Sequence, residues 1–132
     1  MVKNNFTPQF PLYIPSKGRS EYMITSKVLT ELGVKHYIVV EPQQVNDYLM
    51  AVKKMNLLAT ILPLDMTYKK KYELCDDLGL TKSTGPGPAR NFAWDHSISQ
   101  GCSWHWVMDD NIQSFRRLNK NKKSKSKQRC NF

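Results

Sequence analysis

The chain opens its readable pattern with Pro11-Leu12-Tyr13-Ile14-Pro15, a short apolar run. The polar turn Ser16-Lys17-Gly18-Arg19-Ser20 ends it, so a short buried strand and a loop are predicted. Ile24, Val28 and Leu32 then recur every fourth residue, a helical spacing, with Gly33 placed to stop the helix. Tyr37-Ile38-Val39-Val40 is apolar without alternation and is closed by Glu41-Pro42. That suits a parallel strand covered on both faces. Val45, Tyr48, Leu49 and Val52 mark a second helix, and Ala59-Thr60-Ile61-Leu62 a third strand stopped by Pro63.

From Asp65 to Thr84 the pattern weakens into a long loop with one helical turn at most, containing the basic and aromatic run Tyr68–Tyr72. Gly85-Pro86-Gly87-Pro88 opens a third helix, with Ala89, Phe92, Ala93 and His96 on one face and Gly101 as its stop. Ser103–Met108 reads as a fourth strand, Asp109-Asp110-Asn111 follows it, and Ile112–Leu118 reads as a short helix. The order β-α-β-α-β-loop-α-β predicts an α/β domain with a mostly parallel sheet and helices on both faces. Residues 1–10 read as an arm, 11–118 as the domain and 119–132 as a disordered tail.

Charge changes the picture only in part. The 132 residues carry a formal +9, which invites a polyanionic partner. Six of the twenty basic residues, however, fall at Lys120 or beyond, where there is no acid, leaving only +3 for the rest. Three cysteines without C-x-x-C spacing argue against a disulfide framework or a thiolate zinc site and fit a reducing, cytoplasmic setting. No apolar run is long enough to span a bilayer, so no membrane partner is expected.

In open parallel sheets ligands bind beyond the carboxyl ends of the strands. Ser16, Lys17 and Arg19 follow the first strand, Glu41 the second, and Asp109 and Asp110 the fourth. Paired carboxylates after a buried strand suit Mg²⁺ or Mn²⁺ shared with phosphate oxygens; the plainer reading is an exposed turn. Arg19 can grip phosphate, or Lys17 and Arg19 can form a solvated basic turn. Glu41 can accept a hydrogen bond from a base or ribose, or simply end a strand. The Gly-Pro-Gly-Pro-Ala-Arg-Asn segment sets a helix N-terminus, suited to a diphosphate, beside Arg90 and Asn91. His36, His96 and His105 are read as structural.

Taken in order, Ile14–Arg19, Val39–Pro42, Gly87–Asn91 and Trp104–Ile112 resemble the nucleotide-sugar half of GT-A glycosyltransferases. Among these they look most like the TET-associated glycosyltransferases of bacteriophages. The resemblance implies a transferase in which Asp109 and Asp110 form a DXD-like metal site for Mn²⁺ or Mg²⁺. Ser16, Lys17, Arg19 and Glu41 would flank the nucleotide of a donor, a UDP-sugar foremost, with Arg90 and Asn91 near the phosphates or sugar. It implies hydroxymethylated cytosine in duplex DNA as acceptor, and the host cytoplasm as location for a viral member. GT-A enzymes continue well past the metal motif, so a shortened chain, completed by a second chain, is one expectation. A non-catalytic sugar-nucleotide or DNA-binding remnant and a nucleotidyltransferase are the alternatives.

Overall fold

A computed structural model describes residues 5–71, 85–118 and 125–126. Strand β1 (Leu12–Pro15), helix α1 (Ile24–Glu31), strand β2 (His36–Val40), helix α2 (Val45–Met55) and strand β3 (Ala59–Pro63) follow in turn. A 3₁₀ turn over Pro42–Gln44 joins β2 to α2. Helix α3 (Thr67–Lys71), helix α4 (Gly87–Ser99) and strand β4 (Trp106–Val107) come next. Arg117–Leu118 (β5) pairs antiparallel with Lys125–Ser126 (β6).

The main sheet runs β3-β2-β1-β4, with every pairing parallel. The α/β class expected from the sequence is therefore observed. The chain steps from β1 outward to β2 and β3, then returns past β1 to β4. Right-handed crossovers that travel in opposite directions along a sheet put their helices on opposite faces. The two cores follow that division. Leu12, Ile14, Ile38 and Val40 pack with Leu29 of α1 and Tyr48 of α2, while Tyr13 and Val39 pack with Ala89 and Ala93 of α4. Alternate strand residues feed opposite cores, as a pleat requires. A fully buried Leu, Ile or Val side chain contributes about 1.5–3 kcal/mol.

Several local expectations are corrected. In α1 the positions buried most deeply are Thr25, Ser26 and Leu29, whereas Ile24 and Val28 are only half-buried. Both polar residues are buried because they are bonded: Ser26 Oγ to His36 Nε2 at 2.7 Å, and Thr25 to the turn after β4. Leu49 of α2 faces solvent, and Tyr48 and Ala51 take the core side. The fourth strand shrinks to Trp106–Val107, because only Leu12 and Tyr13 pair with it. Residues 112–116 form no helix, and Arg117–Leu118 is a strand: a backbone that pairs with Lys125–Ser126 cannot also close helical turns. The one helical turn expected in the long loop is found at Thr67–Lys71, and 72–84 lie outside the described residues. Apart from Lys125–Ser126, the expected tail 119–132 does too. Among the described residues no helix is long and apolar enough to cross a membrane.

His36, expected to be structural, is buried and satisfied. Its Nδ1 is 2.9 Å from the Val34 carbonyl and its Nε2 meets Ser26. Burial pushes its pKa below the usual imidazole value, and the bond to Val34 offsets part of that. In the neutral ring Nδ1–H donates to Val34 and Nε2 accepts from Ser26. His96 lies 2.6 Å from the Tyr13 hydroxyl, and His105 packs edge-on to the same ring. Burial, with Tyr37 alongside, pushes the Tyr13 phenol well above its ordinary range.

Candidate functional site

A cleft of about 400 Å³ crosses the carboxyl ends of the strands. The sheet order makes the gap between β1 and β4 the place where the chain reverses direction across the sheet, the position that leaves a crevice for ligands in open α/β folds. Ser16, Lys17, Arg19, Glu41, Arg90, Asp109 and Asp110 all line it. Residues up to 94 positions apart thus converge as their strand ends implied. Asn91 does not line the cleft; it is exposed on α4, one residue beyond Arg90.

The acidic turn is fixed from α1. Thr25 Oγ donates to the Asp109 carbonyl at 2.6 Å and accepts from Ile112 N–H at 2.8 Å. Thr25 N–H, in the first turn of α1, reaches the Asp110 carbonyl at 3.4 Å. The turn thereby uses a helix-end donor that has no partner within the helix.

The two carboxylates are unlike. Asp110 is mostly covered; Oδ2 accepts from Ser16 Oγ and Oδ1 from Arg19 Nη1, both at 2.8 Å. Asp109 is 70% exposed and, among the described residues, meets Arg90 Nη2 at 3.4 Å. A pair this open contributes little, so Arg90 and Asp109 are free to exchange partners. Tyr48 reaches in from α2, its hydroxyl 2.7 Å from Ser16 Oγ and 3.0 Å from Arg19 N. Gly18, at φ 65°, a conformation that favours glycine, donates its N–H to Gln44 Oε1 at 3.1 Å. The loop after β1 is thus moored at two points, to Tyr48 of α2 and to Gln44 of the 3₁₀ turn before it.

At the other end Glu41 accepts from Lys17 on Oε2 and from Lys69 on Oε1, each at 3.1 Å. Gln43 Nε2 adds a contact at 3.3 Å. Burial pushes the Glu41 pKa up, but these hydrogen bonds outweigh it and hold the carboxyl below its ordinary range. Between the ends, Pro15, Val39, Leu64, Pro86 and Pro88 give the cleft apolar walls. The N-terminus of α4 opens onto it through Pro88, Ala89 and Arg90.

Three members of this site escaped the sequence reading. Lys69 belongs to the basic and aromatic run Tyr68–Tyr72, from which no site residue was drawn. Tyr48 reads as core, and its ring is buried; only its hydroxyl meets the loop after β1. Thr25 carries no signal beyond an interrupted apolar stripe.

Among the described residues the cleft sets four cations against three carboxylates: Lys17, Arg19, Lys69 and Arg90 with Glu41, Asp109 and Asp110. That leaves one positive charge in excess, short of neutralising a diphosphate diester. A divalent ion on Asp109 and Asp110 fits this donor set, because Mg²⁺ commonly takes one or two carboxylates and completes its shell with phosphate and water oxygens. Among the described residues no group of three or more His, Cys, Asp or Glu is placed to hold a metal by itself.

Residues 10–131 match the TET-Associated Glycosyltransferase family. No curated protein and no solved structure matches the chain. The match spans nearly all of the sequence, including every residue of the cleft, and the chain belongs to the TET-associated glycosyltransferase family.

Proposed function

We propose that the cleft binds a nucleotide-sugar together with Mn²⁺ or Mg²⁺, and that the protein transfers the sugar to a hydroxymethylated base in duplex DNA. The observation that carries this reading is the meeting of Asp109, Asp110, Arg19 and Arg90 at one end of a cleft laid across the strand ends. When bound, the ion supplies charge stabilisation for the leaving nucleoside diphosphate.

The chain's own residues do the rest. Asp109 offers an open carboxylate to the ion. Asp110, oriented by Ser16 and Arg19, would be the second residue to hold it. Arg90, released from its loose contact with Asp109, turns to the diphosphate, and the α4 N-terminus adds its positive end. In the reaction the bond from the anomeric carbon to the phosphate oxygen breaks with its electron pair leaving on the nucleoside diphosphate, a bond to the acceptor oxygen forms, and the acceptor hydroxyl's proton passes to solvent.

The test is direct. The protein is incubated with UDP-sugars, Mn²⁺ and duplex DNA containing hydroxymethylcytosine, and the nucleosides are weighed by mass spectrometry. The expected result is a base heavier by one sugar residue, with one nucleoside diphosphate released per base modified. Binding of donor without any release refutes transfer and leaves a donor-binding protein. Pyrophosphate release from a nucleoside triphosphate marks a nucleotidyltransferase instead.

A further inference from the structure

All three tryptophans of the chain are exposed, Trp94 at 60%, Trp104 at 70% and Trp106 at 41%, and Ile98 joins them at 57%. Trp94 and Ile98 stand one turn apart on α4 and share a helix face. His105 ties that face to β4, its ring 6.3 Å from the Trp94 ring. Trp106 is in register with Leu12, which feeds the core on the α1 side of the sheet, so Trp106 points to that side. The exposed apolar residues therefore bracket β4, which ends the sheet order, from both faces. An aromatic side chain buries about 150–250 Å² in contact, so at these exposures the four offer on the order of 400 Å² of apolar surface. A contiguous patch of that size marks an interaction site, and it is about half of the roughly 800 Å² that one partner brings to a stable interface.

Charge decides which partner fits. Twenty of the 132 residues are Lys or Arg, yet the stretch from Asn91 to Phe115, which carries all four side chains, has none. Its one acid ahead of the cleft turn, Asp95, already accepts from the Tyr68 hydroxyl of α3. Nucleic acid is gripped through cations, so a polyanion does not fit this margin. Aromatic side chains without lysine are instead the composition of a protein interface core. A peptide laid along α4 would leave Trp106 uncovered on the other face of the sheet; covering both faces takes a folded body of similar thickness. Copies of a chain carrying +9 repel one another, and they meet with least opposition where the cations are missing. We propose that two copies of this chain associate through the β4 margin, each burying Trp94, Ile98, Trp104 and Trp106 against the other. A two-fold arrangement needs only this one surface. None of the four side chains lines the cleft, so association and nucleotide binding can be measured apart.

The experiment follows the full chain by sedimentation equilibrium and by its own fluorescence, since every tryptophan lies in the proposed interface. The expected mass at high protein concentration is twice that of the chain. On dilution the mass should fall to one chain while the tryptophan emission moves to longer wavelength, the two changes sharing one midpoint. Added salt should strengthen the association or leave it unchanged, because it screens the repulsion between two positive copies. Ile98→Lys puts an ammonium on each side of the contact and should weaken association at least tenfold, as should Trp104→Ser, with the circular dichroism spectrum unchanged. A mass of one chain at every concentration overturns the proposal. So does a dimer whose emission does not change as it dissociates, or one that both variants form as tightly as the wild type. A monomer whose tryptophans are quenched by duplex DNA overturns it as well and gives the margin to nucleic acid. The dilution series needs no variant and stands even where Ile98→Lys does not fold.

Discussion

Tyr48 donates its hydroxyl proton to Ser16, across the 2.7 Å between their oxygens. The direction follows from counting protons. The one hydroxyl proton of Ser16 is spent on Asp110, so Ser16 can only accept from Tyr48. Tyr48 in turn accepts from Arg19 N–H. The chain Arg19 N–H to Tyr48 to Ser16 to Asp110 therefore runs one way and ends on the carboxylate. Removing the phenolic oxygen in Tyr48→Phe leaves the Arg19 N–H without this acceptor and Ser16 without this donor. A loss of about 1–3 kcal/mol in unfolding free energy is expected, read by urea titration. Nucleotide affinity should fall as well, because Ser16 no longer has a fixed orientation.

Thr25 offers a second check on how the acidic turn is held. Its hydroxyl both donates to the Asp109 carbonyl and accepts from Ile112 N–H. Thr25→Val keeps the shape and loses both bonds; a cost of about 1–3 kcal/mol is expected, again by urea titration. Thr25→Ser keeps the hydroxyl and should recover metal-dependent nucleotide binding. If Thr25→Val bound nucleotide as the wild type does, the turn would not depend on this anchor.

The two aspartates should separate cleanly. Asp109 is open and weakly paired, so Asp109→Asn is expected to change stability by no more than about 0.5 kcal/mol while weakening Mn²⁺-dependent binding. Asp110 is covered and accepts from Ser16 and Arg19, so Asp110→Asn should lose binding and also about 1–2 kcal/mol of stability. Thermal unfolding and calorimetry on the same samples distinguish the two patterns.

Buried His36 sets a pH dependence. Its folded pKa lies below the ordinary 6.5, so below that pH the unfolded chain binds the proton more readily than the folded one. The stabilisation is complete above about 6.5 and is lost as pH falls through the lowered folded value. Glu41, also lowered, loses its contribution only below its ordinary 4.5. Urea midpoints measured from pH 7 down to 4.5 should therefore fall in the wild type. His36→Gln, which cannot take up that proton, should show a flatter profile over the same range.

Much of this was legible in the sequence because strand ends are punctuated. Pro15-Ser16, Glu41-Pro42 and Asp109-Asp110 each stop an apolar run, and a parallel sheet brings such stops to one edge. Helix faces were harder. In α1, Ile24 and Val28 make the better apolar stripe, yet Thr25 and Ser26 are buried because hydrogen bonds to distant residues satisfy them. Periodicity cannot see a partner 84 positions away. The Tyr48 hydroxyl was hidden for the same reason, its ring being core and only its oxygen reaching the site. Lys69 stood in a run legible only as basic and aromatic, and it is α3 that sets it against Glu41.

The central claim is that the cleft is a metal-dependent nucleotide-sugar site, and one calorimetric titration tests it most directly. UDP-sugars are added to the wild-type protein in Mn²⁺ and again after chelation, with Asp109→Ala and Asp110→Ala run alongside. The account predicts saturable binding in Mn²⁺ that weakens at least tenfold on chelation and in both variants. Failure to bind any sugar nucleotide in Mn²⁺, or binding indifferent to the metal and to both aspartates, would contradict it.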